Sequence, residues 1–445
     1  MKRFWLFGLF LAGTLVALNA PAFAKESTDS QDSQDMADAM DDVNSALGSM
    51  ASRVTTIEDQ LKLKLYGDVR LRFAFLGQSQ SEVVTPANTI QAQELARFRA
   101  RFGAMKQFGD FNAAFRLATG SDNNPLSENQ TMTSEFATKW IGVDQAYITY
   151  VPGFLNGHLK ATAGKMPNPL TTTPISWDPD PQPEGALLEG SMDDAKLRAT
   201  YFILNDSSGI KYPAGTNTDL FLAWFQAEQN FKIDADTSAL FTVGYEYVPY
   251  VTALNGGAAA LAPGAPAPGA GALKTVTALG MVAKPNGTIP DIETLEFLLN
   301  IKNKFGAIPF KWAFHFMDNL DSFDLSPGYT NQYGAWASVT AGDASDKDGL
   351  SAMLAGGYVE PNATLSLLAD DDQGDTNTEF LKANLTYGIE KGLQLSWTNW
   401  AINHIYYAGA SAFATATTGA GLNNSLNGSS HAAEIKSFLD LLATF

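Results

Sequence analysis

The chain has 445 residues, a formal net charge of −18 and no cysteine. The acidic balance argues against binding to nucleic acid or to anionic lipid headgroups. The lack of cysteine excludes a fold held together by disulfides, on which small exported domains often depend.

Residues 1–24 have the pattern of a secretory signal peptide. A basic start, "MKR", precedes an apolar run, and the segment ends in "AFA", an A-x-A cleavage pattern. The apolar run is short for a membrane anchor, and a polar stretch follows it directly. The sequence therefore predicts export, with a mature chain that begins near Lys25.

Residues 25–62 form a polar segment with a seam of apolar residues at alternating steps of four and three. This spacing is an a/d heptad pattern and predicts an α-helical coiled coil. Because a lone helix of this kind is marginal in water, we expect partner chains, with a homotrimer as the prediction. The alternative is a single amphipathic helix lying on the rim of its own domain. The seam consists of Met36, Met40, Val43, Leu47, Met50, Val54, Ile57 and Leu61.

From residue 63 onward the period of the pattern changes to two. In "YGDVRLRFAF" the apolar side chains of Val69, Leu71 and Phe73 alternate with Arg70 and Arg72. Successive side chains of a strand point to opposite faces. The stretch fits either the edge of a soluble sandwich or a barrel strand with lipid outside and water inside.

The next two predicted strands, 94–106 and 111–120, repeat this alternation on either side of the short turn "QFGD". We expect them to pair as a hairpin with Phe102 opposite Phe115, which places Arg101 opposite Arg116. Every pair in that register keeps the apolar and polar faces separate.

Connectors of alternating length predict the strand count. Short turns and long loops alternate along the chain, as in outer-membrane barrels. If both ends of the barrel lie on the periplasmic side, the strand number must be even, and the pattern gives about 16 antiparallel strands. This predicts an all-β transmembrane β-barrel over residues 63–445 with a water-filled lumen. The predicted strand at 349–369 is interrupted by Pro361. The strands are expected near 63–76, 94–106, 111–120, 141–151, 158–165, 184–190, 194–204, 218–230, 237–248, 291–303, 308–318, 332–342, 349–369, 380–390, 393–403 and 432–445.

A family resemblance rests on stretches spread over the whole barrel. They include "LYGDVRLRF", "RFRARFG", "AAFRLATGSDNNP", "IGVDQAYITY", "ATAGKMPNP", "WDPDPQPEGALLEG" and "LLADDDQGDTNTEFLKANLTYGI". With these, the chain resembles the Gram-negative family described as "putative porin". The resemblance implies a signal peptide, a periplasmic coiled coil and a 16-stranded barrel that passes small polar solutes as a trimer. The surroundings would be the outer-membrane bilayer with its lipopolysaccharide. The Ala/Gly/Pro-rich loop at 253–272 departs from the family, so no solute preference is carried over.

The arginines are concentrated on the first three predicted strands. Facing water in the lumen they keep their hydration, whereas each would cost about 2–4 kcal/mol against lipid near the midplane. They predict a basic wall at the pore constriction that favours anions locally. The alternative is that they tie down lumen loops through carboxylates. The six are Arg70, Arg72, Arg97, Arg99, Arg101 and Arg116, and Lys160, Lys196 and Arg198 extend the basic lining.

The proline-rich connector "KMPNPLTTTPISWDPDPQPEGALLEG" is expected to fold into the lumen, because proline restricts its backbone and resists strand pairing. Its acids Asp178, Asp180 and Glu184 would then face the arginines and create a transverse field. The alternative is an ordinary outer loop.

The acidic stretch "LADDDQGDTNTE" is a calcium candidate, through Asp370, Asp372 and Asp375 beside a glycine. Its spacing departs from the calcium-loop consensus, and no other cofactor is predicted.

Enzymatic motifs do not occur in the sequence. The four histidines are scattered without metal-ligand spacing, and there is no GxSxG and no phosphate-binding glycine loop. The sequence predicts a porin rather than an enzyme. The alternatives are a membrane anchor whose coiled coil tethers the outer membrane to the periplasm, and a barrel enzyme with a dispersed Ser/His site.

Overall fold

The computed structural model describes residues 63–79, 91–120, 127–132, 136–205, 220–249, 291–321, 331–366, 368–405 and 433–445. The predicted signal peptide (1–24) and coiled coil (25–62) lie outside these residues and stay predictions.

The described ranges hold seventeen strands in one sheet. They are β1 (Leu63–Ser79), β2 (Gln91–Phe108), β3 (Phe111–Thr119), β4 (Gln130–Thr131), β5 (Ile141–Tyr150), β6 (Leu159–Lys165), β7 (Glu184–Met192), β8 (Ala195–Asn205), β9 (Leu220–Lys232), β10 (Ser238–Val248), β11 (Ile292–Phe305), β12 (Ile308–Asn319), β13 (Tyr333–Asp343), β14 (Leu350–Val359), β15 (Thr378–Glu390), β16 (Leu393–His404) and β17 (Ala433–Thr444).

The sheet closes on itself as a barrel of sixteen antiparallel strands. Each long strand pairs with its neighbours in the chain, and β17 pairs with β1. The two-residue β4 is not one of these sixteen strands and pairs with Arg97 and Phe98 of β2. Because β17 pairs with β1, the sheet of the described residues has no edge strand. The predicted barrel of about 16 strands is confirmed.

The alternation in the sequence determines which way each side chain points. Phe73 and Leu197 project outward and are 64% and 66% exposed, whereas Arg72 and Asp440 point inward and are 8% exposed each. A water-soluble barrel carries its polar side chains outside. The apolar exterior and charged interior found here are the pattern of outer-membrane barrels.

Helical structure in the described ranges consists of two single 3-10 turns, Gly153–Leu155 and Asp371–Gln373. Within the same ranges, no helix combines the length and the apolar character needed to cross a bilayer.

The predicted register between β2 and β3 is wrong by two residues. Phe102 lies opposite Leu117, and Phe115 lies opposite Ala104. The turn is tighter than expected, because Gly109 adopts a left-handed φ of 58° and lets residues 109 and 110 alone connect the strands. A slip of two residues keeps both faces sorted, so the alternation cannot detect it.

One predicted strand is also too long. The strand expected at 349–369 ends at Val359, two residues before Pro361, and residues 360–366 and 368–377 lie outside the strands. Proline lacks the backbone N–H that a central strand must donate. The other fifteen strands agree with their predicted bounds to within three residues.

Replacing Gly67 tests the closure seam. The Gly67 N–H donates to the Phe445 carbonyl at 3.0 Å, and an added Cβ would lie 2.3 Å from the Arg101 carbonyl oxygen and 2.9 Å from the Phe445 ring. We expect Gly67→Val to destabilise the folded barrel by about 1–3 kcal/mol, measured as a lower transition temperature of the compact, heat-modifiable band on gels. The control is Gly190→Val, because nothing lies within 4 Å of that added Cβ. Equal transition temperatures for the two variants would contradict the steric argument.

Candidate functional site

Six arginines of β1, β2 and β3 project into the lumen and form what we call the arginine wall. The cross-strand register places Arg70 opposite Arg99, and Arg72 opposite Arg97. Like charges directly opposite each other are destabilising unless counter-charges intervene. The wall consists of Arg70, Arg72, Arg97, Arg99, Arg101 and Arg116.

Two of these arginines are held by buried carboxylates of the barrel itself. Arg72 makes a two-pronged contact with Asp440 of β17, with Nε to Oδ1 at 2.8 Å and Nη2 to Oδ2 at 2.9 Å. Arg99 donates through Nη2 to Asp68 Oδ1 at 3.0 Å. Charge-assisted contacts of this kind are strong and fix the guanidinium planes.

Arg101 and Arg116 are held in the same way. Arg101 contacts Asp68 and reaches Glu128 Oε2 at 3.2 Å, and Arg116 donates to Asp144. Glu128 lies in the connector before β4, where burial raises the pKa of its carboxyl to about 8, with a further upward contribution from Asp180. Asp68, Asp144 and Asp440 therefore form ion pairs with four of the six arginines of the wall.

Residues 166–183, between β6 and β7, lie inside the barrel and are called the first inward segment. Thr171 N–H donates to Gln226 Oε1 at 2.9 Å, and Thr173 Oγ1 lies 2.7 Å from His315 Nδ1 on the inner face of β12. Trp177 packs against Trp224, with ring centroids 6.0 Å apart. These contacts anchor the proline-rich connector to the wall formed by β9 to β12.

The three acids expected to oppose the arginines have different positions. Asp180 Oδ1 lies 3.4 Å from Arg99 Nη1, across from the anchored part of the segment. Asp178 instead turns away and accepts from the N–H of Asp371. Glu184 begins β7 and pairs with Lys165 at 2.9 Å. Of the three, Asp180 forms an ion pair with the arginine wall, and the transverse field from Asp178 and Glu184 stays a prediction.

The three extra basic residues lie on β6 and β8. Arg198 contacts Glu189 at 2.7 Å and Glu228 at 2.6 Å, and Lys160 contacts Glu189 at 3.1 Å. Lys196 is exposed. Lys160 and Arg198 form an ion-paired cluster with Glu189 and Glu228.

Residues 360–366 and 368–377, between β14 and β15, also lie inside the barrel and are called the second inward segment. Thr364 Oγ1 donates to Glu246 Oε2 at 2.9 Å, Asp372 lies 3.4 Å from Arg72, and Lys436 Nζ donates to the Asp371 carbonyl at 2.7 Å. Sequence reasoning missed this segment because "ATLSLL" continues the alternation of β14. Pro361 was the signal in the sequence that the strand ends before this segment.

A cluster of carboxylates joins the two inward segments. The oxygens of Asp178, Asp370 and Asp371 lie within 4.8 Å of one another. Burial, reinforced by the neighbouring carboxylates, raises the pKa of Asp178 to about 10, of Asp371 to about 8 and of Asp370 to about 7. Near neutral pH these carboxyls therefore hold protons that isolated aspartates would have lost.

The predicted calcium trio is not brought together as a group in the described residues. Asp372 faces Arg72, and the carboxylates that gather with Asp370 are Asp178 and Asp371. Calcium binding at the acidic stretch stays a prediction.

Comparisons with known proteins agree with this architecture. A family model described as "Putative porin" matches residues 74–235. The structure of Pseudomonas putida OprB at high pH is 9% identical, and the match covers 88% of this chain and 96% of that chain with a TM-score of 0.51. At this identity the likeness shows the fold.

Two further structures match with lower scores. OmpT, an outer membrane protein of Vibrio cholerae, is 9% identical over 86% of this chain and 97% of that one, with a TM-score of 0.42. A triple mutant of Rhodopseudomonas blastica porin is 9% identical over 86% and 100%, with a TM-score of 0.41. No curated protein matches the sequence.

The carboxylate cluster predicts a dependence of stability on pH. Because its pKa values are raised by folding, its contribution is fully present below about pH 4. It is lost as the pH rises through about 7 to 10, the pKa values of Asp370, Asp371 and Asp178. We expect the transition temperature of the barrel to fall between pH 6 and pH 10, and Asp178→Asn to flatten that fall. Asp236→Asn, in an exposed turn, is the control, and an identical fall in wild type and Asp178→Asn would contradict the account.

Proposed function

We propose that the chain is an outer-membrane porin, a passive diffusion channel for small hydrophilic solutes and ions rather than an enzyme. The observation that carries this proposal is the closed sixteen-strand barrel with an apolar exterior and a charged interior. A barrel of this strand number encloses a water-filled lumen. The family match over residues 74–235 supports the same function.

We propose that the constriction lies where the two inward segments meet the arginine wall. Asp180 approaches Arg99 and Asp372 approaches Arg72, each at 3.4 Å. Acids on one side and arginines on the other create a transverse field that orients polar solutes. The same contacts support the alternative that arginines hold lumen segments in place, and one arrangement serves both purposes.

The proposal includes a homotrimer with a periplasmic N-terminal segment. Strand β6 has only seven residues. Tilted by about 45° and rising about 3.3 Å per residue, such a strand covers roughly 16 Å, less than the ~25 Å apolar band of outer-membrane barrels. A wall this short suits contact with a neighbouring barrel better than contact with lipid.

Planar-bilayer recordings test the channel function. Purified full-length chain is expected to give steady, voltage-independent conductance steps that rise with salt concentration, because a water-filled lumen conducts without gating chemistry. Gel mobility before and after heating confirms that the added protein is folded. Folded protein without conductance steps would rule out the porin and favour an anchor or an enzyme.

Reversal potentials across a salt gradient test the role of the arginine wall. Combining Arg97→Ala, Arg99→Ala and Arg101→Ala removes three positive charges, leaves Asp68 without its arginine partners and leaves Glu128 with Arg116. We expect a shift toward cation selectivity. The matched control combines Lys232→Ala, Lys302→Ala and Lys311→Ala, three exposed lysines on β9, β11 and β12. A shift no larger than that of the control would remove the arginines from the account of selectivity.

A further inference from the structure

We propose that Arg70 and Arg97 form a binding subsite for a small oxyanion, a carboxylate or a phosphate, within the constriction. The inference rests on the proposed porin function and adds to it the chemical class of a preferred solute. It comes from the uneven way in which acids are distributed over the arginine wall.

Four arginines of β1 and β2 form a square block. Arg70 lies opposite Arg99 and Arg72 lies opposite Arg97, so Arg70 and Arg97 occupy one diagonal of the block. Diagonal neighbours across two antiparallel strands are about 7–8 Å apart. The long side chains of this diagonal therefore reach a common ligand.

The other diagonal is neutralised on both sides. Arg72 is held by Asp440 and approached by Asp372 of the second inward segment. Arg99 is held by Asp68 and approached by Asp180 of the first inward segment. Both of these arginines are buried, at 8% and 6% exposure, and their charges are matched before any solute arrives.

Arg70 and Arg97 lack such partners. Among the described residues, no carboxylate lies within 4 Å of either guanidinium, and the buried Nε of each has no hydrogen-bond acceptor. Arg70 Nη2 donates to the amide oxygen of Asn129 at 2.8 Å, a neutral partner. Both side chains remain partly exposed, so their charge is available to solutes in the lumen.

The geometry favours an oxyanion over other solutes. A guanidinium presents planar pairs of N–H donors that match the spacing of two oxygens on a carboxylate or phosphate. An anion with two or more oxygens can accept from Arg70 and Arg97 together. The acids at the other two corners repel it, which keeps binding weak enough for the solute to leave, as conduction requires.

Titration of the open channel with oxyanions tests the subsite. The full-length chain is recorded in potassium chloride at fixed ionic strength, first with increasing inorganic phosphate and separately with increasing succinate. We expect each to reduce the chloride conductance in a saturable way. Combining Arg70→Gln and Arg97→Gln should raise the half-blocking concentration at least about tenfold, since two charged donors are lost. Combining Arg70→Lys and Arg97→Lys should give an intermediate value, because the charge remains and the planar donors are lost.

The matched control combines Lys302→Gln and Lys311→Gln, a cross-strand pair of exposed lysines on β11 and β12. This control removes the same charge and is expected to retain the block. Open steps that neither phosphate nor succinate reduces would overturn the subsite and leave the porin intact. An equal half-blocking concentration in the Arg70→Gln/Arg97→Gln variant and in the Lys302→Gln/Lys311→Gln control would also overturn the subsite. A folded barrel without conductance steps would refute the porin function itself.

Discussion

The contact between Arg72 and Asp440 joins two residues that are 368 positions apart in the chain. It exists only because β17 closes onto β1, and that closure is the constraint on which the other features depend. Once the sheet is closed, each strand has one face toward the exterior and one toward the lumen. Arginines and aspartates on the inner faces of β1, β2 and β17 are then forced into one small volume, where they neutralise each other.

The lumen of a sixteen-strand barrel is wide enough to hold chain as well as water, and two connectors occupy part of it. The two inward segments pack against the barrel wall and hydrogen-bond to each other. Trp177 and Leu365 bury apolar area against Trp224 and its neighbours. The hydroxyls of Thr173 and Thr364 hydrogen-bond to His315 and Glu246 of the barrel wall. Apolar packing fixes the position of the segments, and their acidic tips meet the arginine wall.

Much of the fold could be predicted from the sequence because alternation and connector length are local signals. They gave the sidedness of Val69 and Arg70 and the sixteen-strand count. They could not give the register of β2 against β3, since a shift of two residues preserves both faces. Nor could they give the acids paired with the arginines: the partners of Arg72 come from β17 and from a segment inside the lumen, and such pairs are set by closure rather than by neighbouring sequence.

The two inward segments are attached at different places in the chain, between β6 and β7 and between β14 and β15. Backbone hydrogen bonds join the two ends of the second inward segment to the barrel: the Glu360 N–H donates to the carbonyl of Tyr333 in β13, and the Asn377 carbonyl accepts from the Ile405 N–H. Side chains of either inward segment that face the lumen can change while the strand pairing of the barrel stays the same. The scaffold therefore has two separate places, far apart in the chain, at which the charges that face the lumen can change.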